Sequence, residues 1–217
     1  MEGTPNICAG PFGALYDFYI ERPWLMGWIG RLVWGIDASV LYASMEPIAQ
    51  VLDGQTILDV PCGGGVAFRA LAPDRDVRYL AVDLSAKMLD RAERRAATRS
   101  LTQVELLAAD MTALPFADGQ ADLVLSYSGL HMVHEPERAV EEIVRCLKPG
   151  GRLIGTTFLG DGSRRARALF GIGSRRGHPR PPSREDLHRW LTGAGMVDPV
   201  IGPQRGFVAF SGCEHTI

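Results

Sequence analysis

The chain has 217 residues and a formal net charge of −2, with 46% hydrophobic and 8% aromatic residues. That length supports one domain with a sizeable core rather than two, and the composition is that of a soluble globular protein. The charge balance offers no general attraction to nucleic acid, and no apolar run reaches the roughly 18 residues that a membrane span needs.

The opening residues, 1–6, lack the basic stretch of a secretory leader, and the four cysteines (Cys8, Cys62, Cys146 and Cys213) form no C-x-x-C pair. Reduced thiols in a cytoplasmic protein are therefore expected. Residues 12–50 read as two or three helical pieces punctuated by Pro23 and Pro47, and they carry Phe12, Tyr16, Phe18, Tyr19, Trp24, Trp28 and Trp34. Three readings of this aromatic segment stand side by side: a face packed on the core, a lid over an apolar substrate pocket, and a peripheral contact with a bilayer surface.

Between residues 55 and 160 strand and helix patterns alternate. Strands are predicted at 56–60, 78–82, 104–108, 121–126 and 151–158; one helix opens after Ser85 as N-cap, and another opens at Pro136 and stops at Lys148-Pro149-Gly150. Such alternation predicts a parallel sheet covered by helices on both faces. Ile57-Leu58-Asp59-Val60 delivers the chain to a glycine-rich turn, Pro61-Cys62-Gly63-Gly64-Gly65, and the apolar run Tyr79-Leu80-Ala81-Val82 ends on Asp83. Backbone N–H groups in a turn without side chains can close on an anionic or dipolar ligand, and a carboxylate at the end of the next strand suits a ribose diol. The pattern points to a nucleoside-containing cofactor. It does not meet the G-x-G-x-x-G spacing of a dinucleotide site, and Asp59 suits a positive amino group better than a pyrophosphate.

Four motifs follow one another: Ile57 to Gly65; Tyr79 to Ser85, with Met88 one helical turn on; Ala108-Ala109-Asp110-Met111 before Leu114-Pro115-Phe116; and Ala121 to Ser126, leading to Leu147-Lys148-Pro149-Gly150-Gly151-Arg152-Leu153. In order and interval they resemble the class I S-adenosylmethionine-dependent methyltransferases, in particular the small-molecule group (methyltransferase type 11) that includes the ubiquinone and menaquinone C-methyltransferases. The resemblance covers residues 55–160 well and the two ends poorly. It implies a Rossmann-like α/β sandwich with a seven-stranded, mostly parallel sheet and a C-terminal antiparallel hairpin. A single methyltransferase domain over 1–217 is expected, with a helical cap (1–50), a cofactor-binding core (51–160), and a basic loop, helix and closing hairpin (161–217).

The same resemblance implies S-adenosyl-L-methionine as cofactor and S-adenosyl-L-homocysteine as product. Asp59 would lie near the methionyl amino group, Gly63 and Gly65 against the methionyl and sugar atoms, and Asp83 on the ribose hydroxyls. Leu84 and Met88 would sandwich the adenine, with Asp110 and the Met111 backbone N–H on its edge. Pro61 stands where the family usually has glycine and supplies no N–H, so the turn's donors are expected from Cys62 to Gly65. After the fourth strand come Ser126, assigned to the cofactor site, and Tyr127, His131 and His134. Tyr16, Tyr127 and His131 are taken to line the acceptor pocket. His131 is the preferred general base, with a purely structural histidine as the competing reading. The pair His131/His134 lacks further ligands, and no metal is expected.

Residues 160–184 interleave Arg164, Arg165, Arg167, Arg175, Arg176, Arg180 and Arg184 with Gly and Pro, and read as a solvated basic surface segment rather than a site for an anionic substrate or lipid head group. Ser183 opens a helix through Leu187, Trp190 and Leu191, and Val197 to Phe210 reads as two short strands joined at Pro203-Gln204. The acceptor is expected to be a small, largely apolar molecule resembling a quinone, polyketide or lipid. Nucleic acid is not expected, since Ser126-Tyr127-Ser128-Gly129 stands where a nucleic-acid methyltransferase carries an Asn/Asp-Pro-Pro-aromatic signature. A cofactor-binding homologue without turnover is the alternative. The sequence leaves the oligomeric state open.

Overall fold

The computed structural model describes residues 39–175 and 177–214, with the side chains of Arg165 and Leu169 left aside. The predicted aromatic helices before residue 39, with Tyr16 and Cys8, and Arg176 in the basic segment lie outside the described residues.

The elements are α1 (Ser39–Ala43), β1 (Thr56–Asp59), β2 (Arg78–Asp83), α2 (Ala86–Thr98), β3 (Val104–Ala108), β4 (Ala121–Tyr127), α3 (Pro136–Arg145), β5 (Leu147–Phe158), α4 (Arg164–Ser174), α5 (Arg184–Gly193), β6 (Met196–Ile201) and β7 (Phe207–Glu214). Short 3-10 turns occupy Glu46–Gln50, Val66–Ala70 and Leu130–Met132. One seven-stranded sheet runs in the order β3-β2-β1-β4-β5-β7-β6. The first five strands in that order are parallel, and β7 runs antiparallel to both β5 and β6. This is the predicted architecture.

Strands buried on both faces must be apolar at consecutive positions, and these are. Leu58, Val60, Leu80, Val82, Val124 and Leu153 point into one core, closed by Val140 and Ile143 of α3 and Leu187 and Leu191 of α5. Ile57, Tyr79, Ala81, Leu123, Leu125 and Ile154 point into the other, closed by Leu41, Ile48, Phe68, Ala92 and Ala96. From β1 the chain builds outward through β2 and β3, then returns to lay β4 on the other side of β1. That reversal opens a crevice at the carboxyl ends of β1, β2 and β4, where ligands bind in open α/β sheets.

Three predicted boundaries differ from the structure. Helix α3 ends at Arg145, and β5 begins at Leu147, so Lys148-Pro149-Gly150-Gly151 is not the helix stop but a bulge inside the strand. The pairing jumps from Ala121↔Leu147 to Leu123↔Arg152, and Gly150 takes φ 76° there. Secondly, the basic segment is not irregular throughout. Ser163 Oγ accepts from the Ala166 N–H at 3.2 Å and caps α4, whose Arg and Ala residues favour helix over the glycines within it. Arg164, Arg167, Arg175 and Arg180 are exposed as a solvated face would be, whereas Arg184 donates to the carbonyls of Gly202 (2.7 Å) and Gln204 (2.7 Å) and ties α5 to the closing hairpin. Thirdly, β7 reaches Glu214, because its whole length pairs against β5 or β6. Among the described residues no helix is long and apolar enough to cross a membrane.

Candidate functional site

Asp59 closes β1 on the same face as Ile57 and is 1% exposed. Its Oδ2 accepts from the Tyr79 hydroxyl at 2.8 Å, while Oδ1 is buried without a hydrogen-bond partner among the described residues. Burial raises its pKa to about 7, against the opposing pull of the Tyr79 hydrogen bond and with a smaller upward push from Asp83.

The turn after β1 is stitched into place by its own amides. Cys62 N–H donates to Val82 O at 2.8 Å, and Gly65 N–H to Cys62 O at 2.9 Å. Gly63 N–H donates to Asp83 Oδ2 at 2.9 Å, and the other oxygen of Asp83 accepts from Ser85 N–H at 2.8 Å. Of the four donors expected from Cys62 to Gly65, three are therefore committed within the protein, and Gly64 N–H has no partner among the described residues. Asp83 is raised from its ordinary value by burial, opposed by its two backbone donors. Each of its oxygens keeps a second lone pair.

Gly65 at φ 77° would place a side chain 2.5 Å from the Phe68 ring, so glycine is required there both by conformation and by space. Gly63, at φ 52°, faces open space. Pro61 packs against the bare Cα of Gly129 in the loop after β4, where any side chain would collide with the pyrrolidine ring. The proline that replaces a usual glycine is thus accommodated by a glycine elsewhere.

On the adenine side of the expected site, Leu84 is 72% exposed beside Asp83, and Met88 is buried at the start of α2. Asp110 is exposed, with Oδ1 accepting from Thr112 N–H (2.9 Å) and Thr112 Oγ1 (2.8 Å). The Met111 side chain belongs to the first core. A group that sequence reasoning missed holds this loop. Buried Glu142 of α3 accepts from Leu114 N–H at 2.9 Å and pairs with Arg145 at 2.8 Å. Arg145 in turn donates to Phe116 O (2.8 Å) and Leu114 O (3.2 Å). The one available signal was a Glu142–Arg145 pair at i,i+3 with Glu142 on the inward side of an amphipathic helix.

The β4 end differs in character. Ser126 is fully buried, and its Oγ has no partner among the described residues. His131 is 8% exposed with Nδ1 unpartnered, edge-on to Phe158 at 4.8 Å and to Phe170 of α4 at 6.2 Å. Phe207 of β7 completes the cluster, 4.9 Å from Phe158. Burial lowers the His131 pKa to about 4. Tyr127 does not present a free hydroxyl: it lies in the second core and donates to Ser44 O at 3.0 Å, and burial pushes its pKa up. His134 is exposed. Cys62, Gly63, Gly65 and Asp83 are thus joined by hydrogen bonds, Asp59 is held beside them by Tyr79, Asp110 and Met111 lie on the clamped loop, and His131 lies in an aromatic nest.

A family model for a methyltransferase domain matches residues 58–155. Over that segment the chain is similar to the class I S-adenosylmethionine-dependent methyltransferases. It is 39% identical over 105 residues to the demethylmenaquinone methyltransferase of Renibacterium salmoninarum, a match covering 48% of this chain and 42% of that one. With the demethylmenaquinone methyltransferase of Thermobifida fusca the identity is 33% over 160 residues, covering 71% and 62%. The first of these matches thus spans less than half the relative's length. Among solved structures, the phosphoethanolamine N-methyltransferase 2 of Haemonchus contortus in complex with S-adenosyl-L-methionine aligns with TM-score 0.75 at 17% identity, over 100% of this chain and 60% of that one. The [4+2]-cyclase SpnF aligns with TM-score 0.68 at 21% identity, over 87% and 85%. These structural likenesses speak for the fold. The cofactor of the family is S-adenosylmethionine.

Proposed function

We propose that the chain transfers the methyl group of S-adenosylmethionine to a small, largely apolar acceptor. The observation that carries this reading is the partnerless Oδ1 of Asp59. A buried carboxylate with one unsatisfied oxygen, set against a glycine turn with one uncommitted amide, is costly alone and matches an ammonium beside a carboxylate. In this reading Asp59 binds the methionyl ammonium, Gly64 N–H meets the methionyl end, and Gly63 and Gly65 let the turn approach the cofactor closely. Asp83 takes the ribose hydroxyls with its remaining lone pairs. Leu84 supplies an apolar face for adenine with Met88 beneath, and Asp110 with the Met111 amide reads the ring edge. Ser126 Oγ is a further polar contact at the cofactor's reacting end.

Bound S-adenosylmethionine supplies an activated methyl on a cationic sulfur, so the protein's task is to align the acceptor and exclude water. The aromatic nest around His131 suits a flat apolar acceptor, and the relatives named demethylmenaquinone methyltransferases support a quinone-like one. His131, neutral at pH 7, serves as a hydrogen-bond partner to an acceptor oxygen, and as base only toward an acidic proton.

The test pairs calorimetric titration with S-adenosylhomocysteine, NADH serving as control, with a labelled-methyl assay on a reduced naphthoquinone. Binding of S-adenosylhomocysteine alone near the micromolar range, about −8 kcal/mol, and label in the quinol are expected. Binding without transfer to any acceptor in a quinol, phenol and lipid series would move the reading to a cofactor-binding homologue without turnover.

A further inference from the structure

Tyr79 reads in sequence as one more apolar strand residue, and the cofactor site as described so far assigns it nothing. In the sheet it sits opposite Ile57, with Asp59 two residues further along β1 on the same face. That diagonal is within reach of a phenol, and the Tyr79 hydroxyl donates to Asp59 Oδ2 at 2.8 Å. The ring itself is fully buried and edge-on to Phe68, with centroids 5.2 Å apart at 88°. Phe68 is the ring that lies under the bare Cα of Gly65. One aromatic brace therefore supports the turn and the carboxylate together.

The remaining neighbours of Asp59 make this bond consequential. The ionisable groups that act on it or feel it are Tyr79 of β2, Asp83 at the end of β2, Cys62 of the turn and Tyr127 of β4. None is a cation. With Oδ2 held by the phenol and Oδ1 left unpaired, the carboxylate is fixed in orientation and short of one positive partner.

We propose that Tyr79 is the positioning residue for the cofactor's amino group: its hydroxyl pins one oxygen of Asp59, fixes the orientation of the carboxyl group, and leaves the other oxygen to the ammonium. This rests on the reading of the site given above. A phenol contact inside the brace would be packing alone if Asp59 had a second internal partner, and it has none among the described residues.

The test is Tyr79→Phe, which keeps the ring and its contact with Phe68 and removes only the hydroxyl. Wild type and variant are titrated by calorimetry with S-adenosylhomocysteine and with 5′-methylthioadenosine, which has the nucleoside and the sulfur but no amino acid part, between about pH 5.5 and 8.5. Y79F is expected to lose about tenfold in affinity for S-adenosylhomocysteine at neutral pH, the scale of a hydrogen bond to a charged group. Its affinity for 5′-methylthioadenosine should stay within about twofold, since no ammonium is involved. The pH at which half the S-adenosylhomocysteine affinity is lost should move upward, because removing a donor to the carboxylate favours its protonated form. In an Asp59→Asn background the same tyrosine substitution should have no further effect on S-adenosylhomocysteine. Equal losses for both ligands, an unshifted pH profile, or additive effects in the double variant overturn the proposal. A wild-type protein that binds neither ligand overturns the cofactor reading first and this one with it.

Discussion

The two ends of the crevice are built from opposite materials. At β1 and β2 the polar groups are tied into a network, with Asp59 Oδ1 left over: Asp83 holds Gly63 and Ser85, Cys62 holds Val82, and Tyr79 holds Asp59. At β4 and the turn after it, Ser126 Oγ and His131 Nδ1 are buried without a partner among the described residues, and the His131 ring lies among Phe158, Phe170 and Phe207. A bonded network has one low-energy arrangement and fits one ligand shape, which suits an invariant cofactor. An apolar nest with a few unpaired atoms leaves orientation to the acceptor. Mutations at the first end should therefore act on cofactor binding and stability together, and those in the aromatic nest around His131 on turnover with cofactor affinity kept.

The largest expected effect lies beneath the first end. Glu142→Ala removes a buried carboxylate that serves Leu114 N–H, Arg138 and Arg145. A loss of about 3 kcal/mol of unfolding free energy in urea is expected, the scale for breaking a buried charge pair. Because Arg145 is partly exposed, water can recover some of that loss. The variant should also bind S-adenosylhomocysteine more weakly, since the loop bearing Asp110 is freed. Unchanged affinity in the folded variant would mean that the clamp serves stability alone.

Next comes Asp83→Ala, expected to weaken S-adenosylhomocysteine binding by about 1.5–3 kcal/mol, the scale of hydrogen bonds to a charged group. It also frees the Gly63 and Ser85 amides, so a lower Tm should accompany the loss. A fall in Tm with unaltered affinity would detach Asp83 from the ribose. Gly65→Ala and Gly63→Ala separate the two demands on the turn. Both force a left-handed backbone on alanine, at about 1 kcal/mol, but only Gly65 also meets Phe68. Thermal melts should show the larger drop for G65A.

Much of the first end was legible from sequence because its residues punctuate. Asp59 and Asp83 interrupt apolar runs, and Gly63 and Gly65 stand where a strand must turn. Residues that work through distant partners carry no such mark. Tyr79 is indistinguishable from a core aromatic until β1 is laid beside β2, and Gly129 is an ordinary loop glycine until Pro61 packs on it. The bulge at Lys148-Pro149-Gly150-Gly151 looked like a stop because proline and glycine usually end elements, whereas here the sheet continues around them. Helix α4 was hidden by its glycines, although Ser163 before an Arg- and Ala-rich run is a capping signal.

The pH response gives a smaller but sign-definite comparison between the ends. The acid Asp59 has a folded pKa of about 7, above its ordinary value, so between about pH 4 and 7 the folded apo protein holds more protons than the unfolded chain. Its contribution to stability falls as pH rises through that window, and Asp83, raised in the same direction, has the same sign. His131 works the other way. With a folded pKa of about 4, below its ordinary value, its share of stability is gained as pH rises from about 4 toward 6.5. The two slopes oppose each other in the apo protein, so the ligand-dependent part is the cleaner measure. The rise in Tm caused by S-adenosylhomocysteine should grow as pH rises from about 5.5 to 7.5, as Asp59 ionises to meet the ammonium. A shift that is flat across that range would remove Asp59 from the amino-group site.

The smallest effect on binding belongs to His131. Replacing it with phenylalanine preserves the edge contacts with Phe158 and Phe170 and removes the titrating ring. Affinity for S-adenosylhomocysteine should stay within about twofold, and the acid loss of stability between about pH 6.5 and 4 should shrink, because no buried imidazole remains to be charged. Methyl transfer should fall with little change in the KM for the cofactor, the pattern of a group that meets the acceptor. A loss of cofactor affinity instead would mean that the aromatic nest and the bonded network are one mechanical unit, and the division between the two ends would not hold.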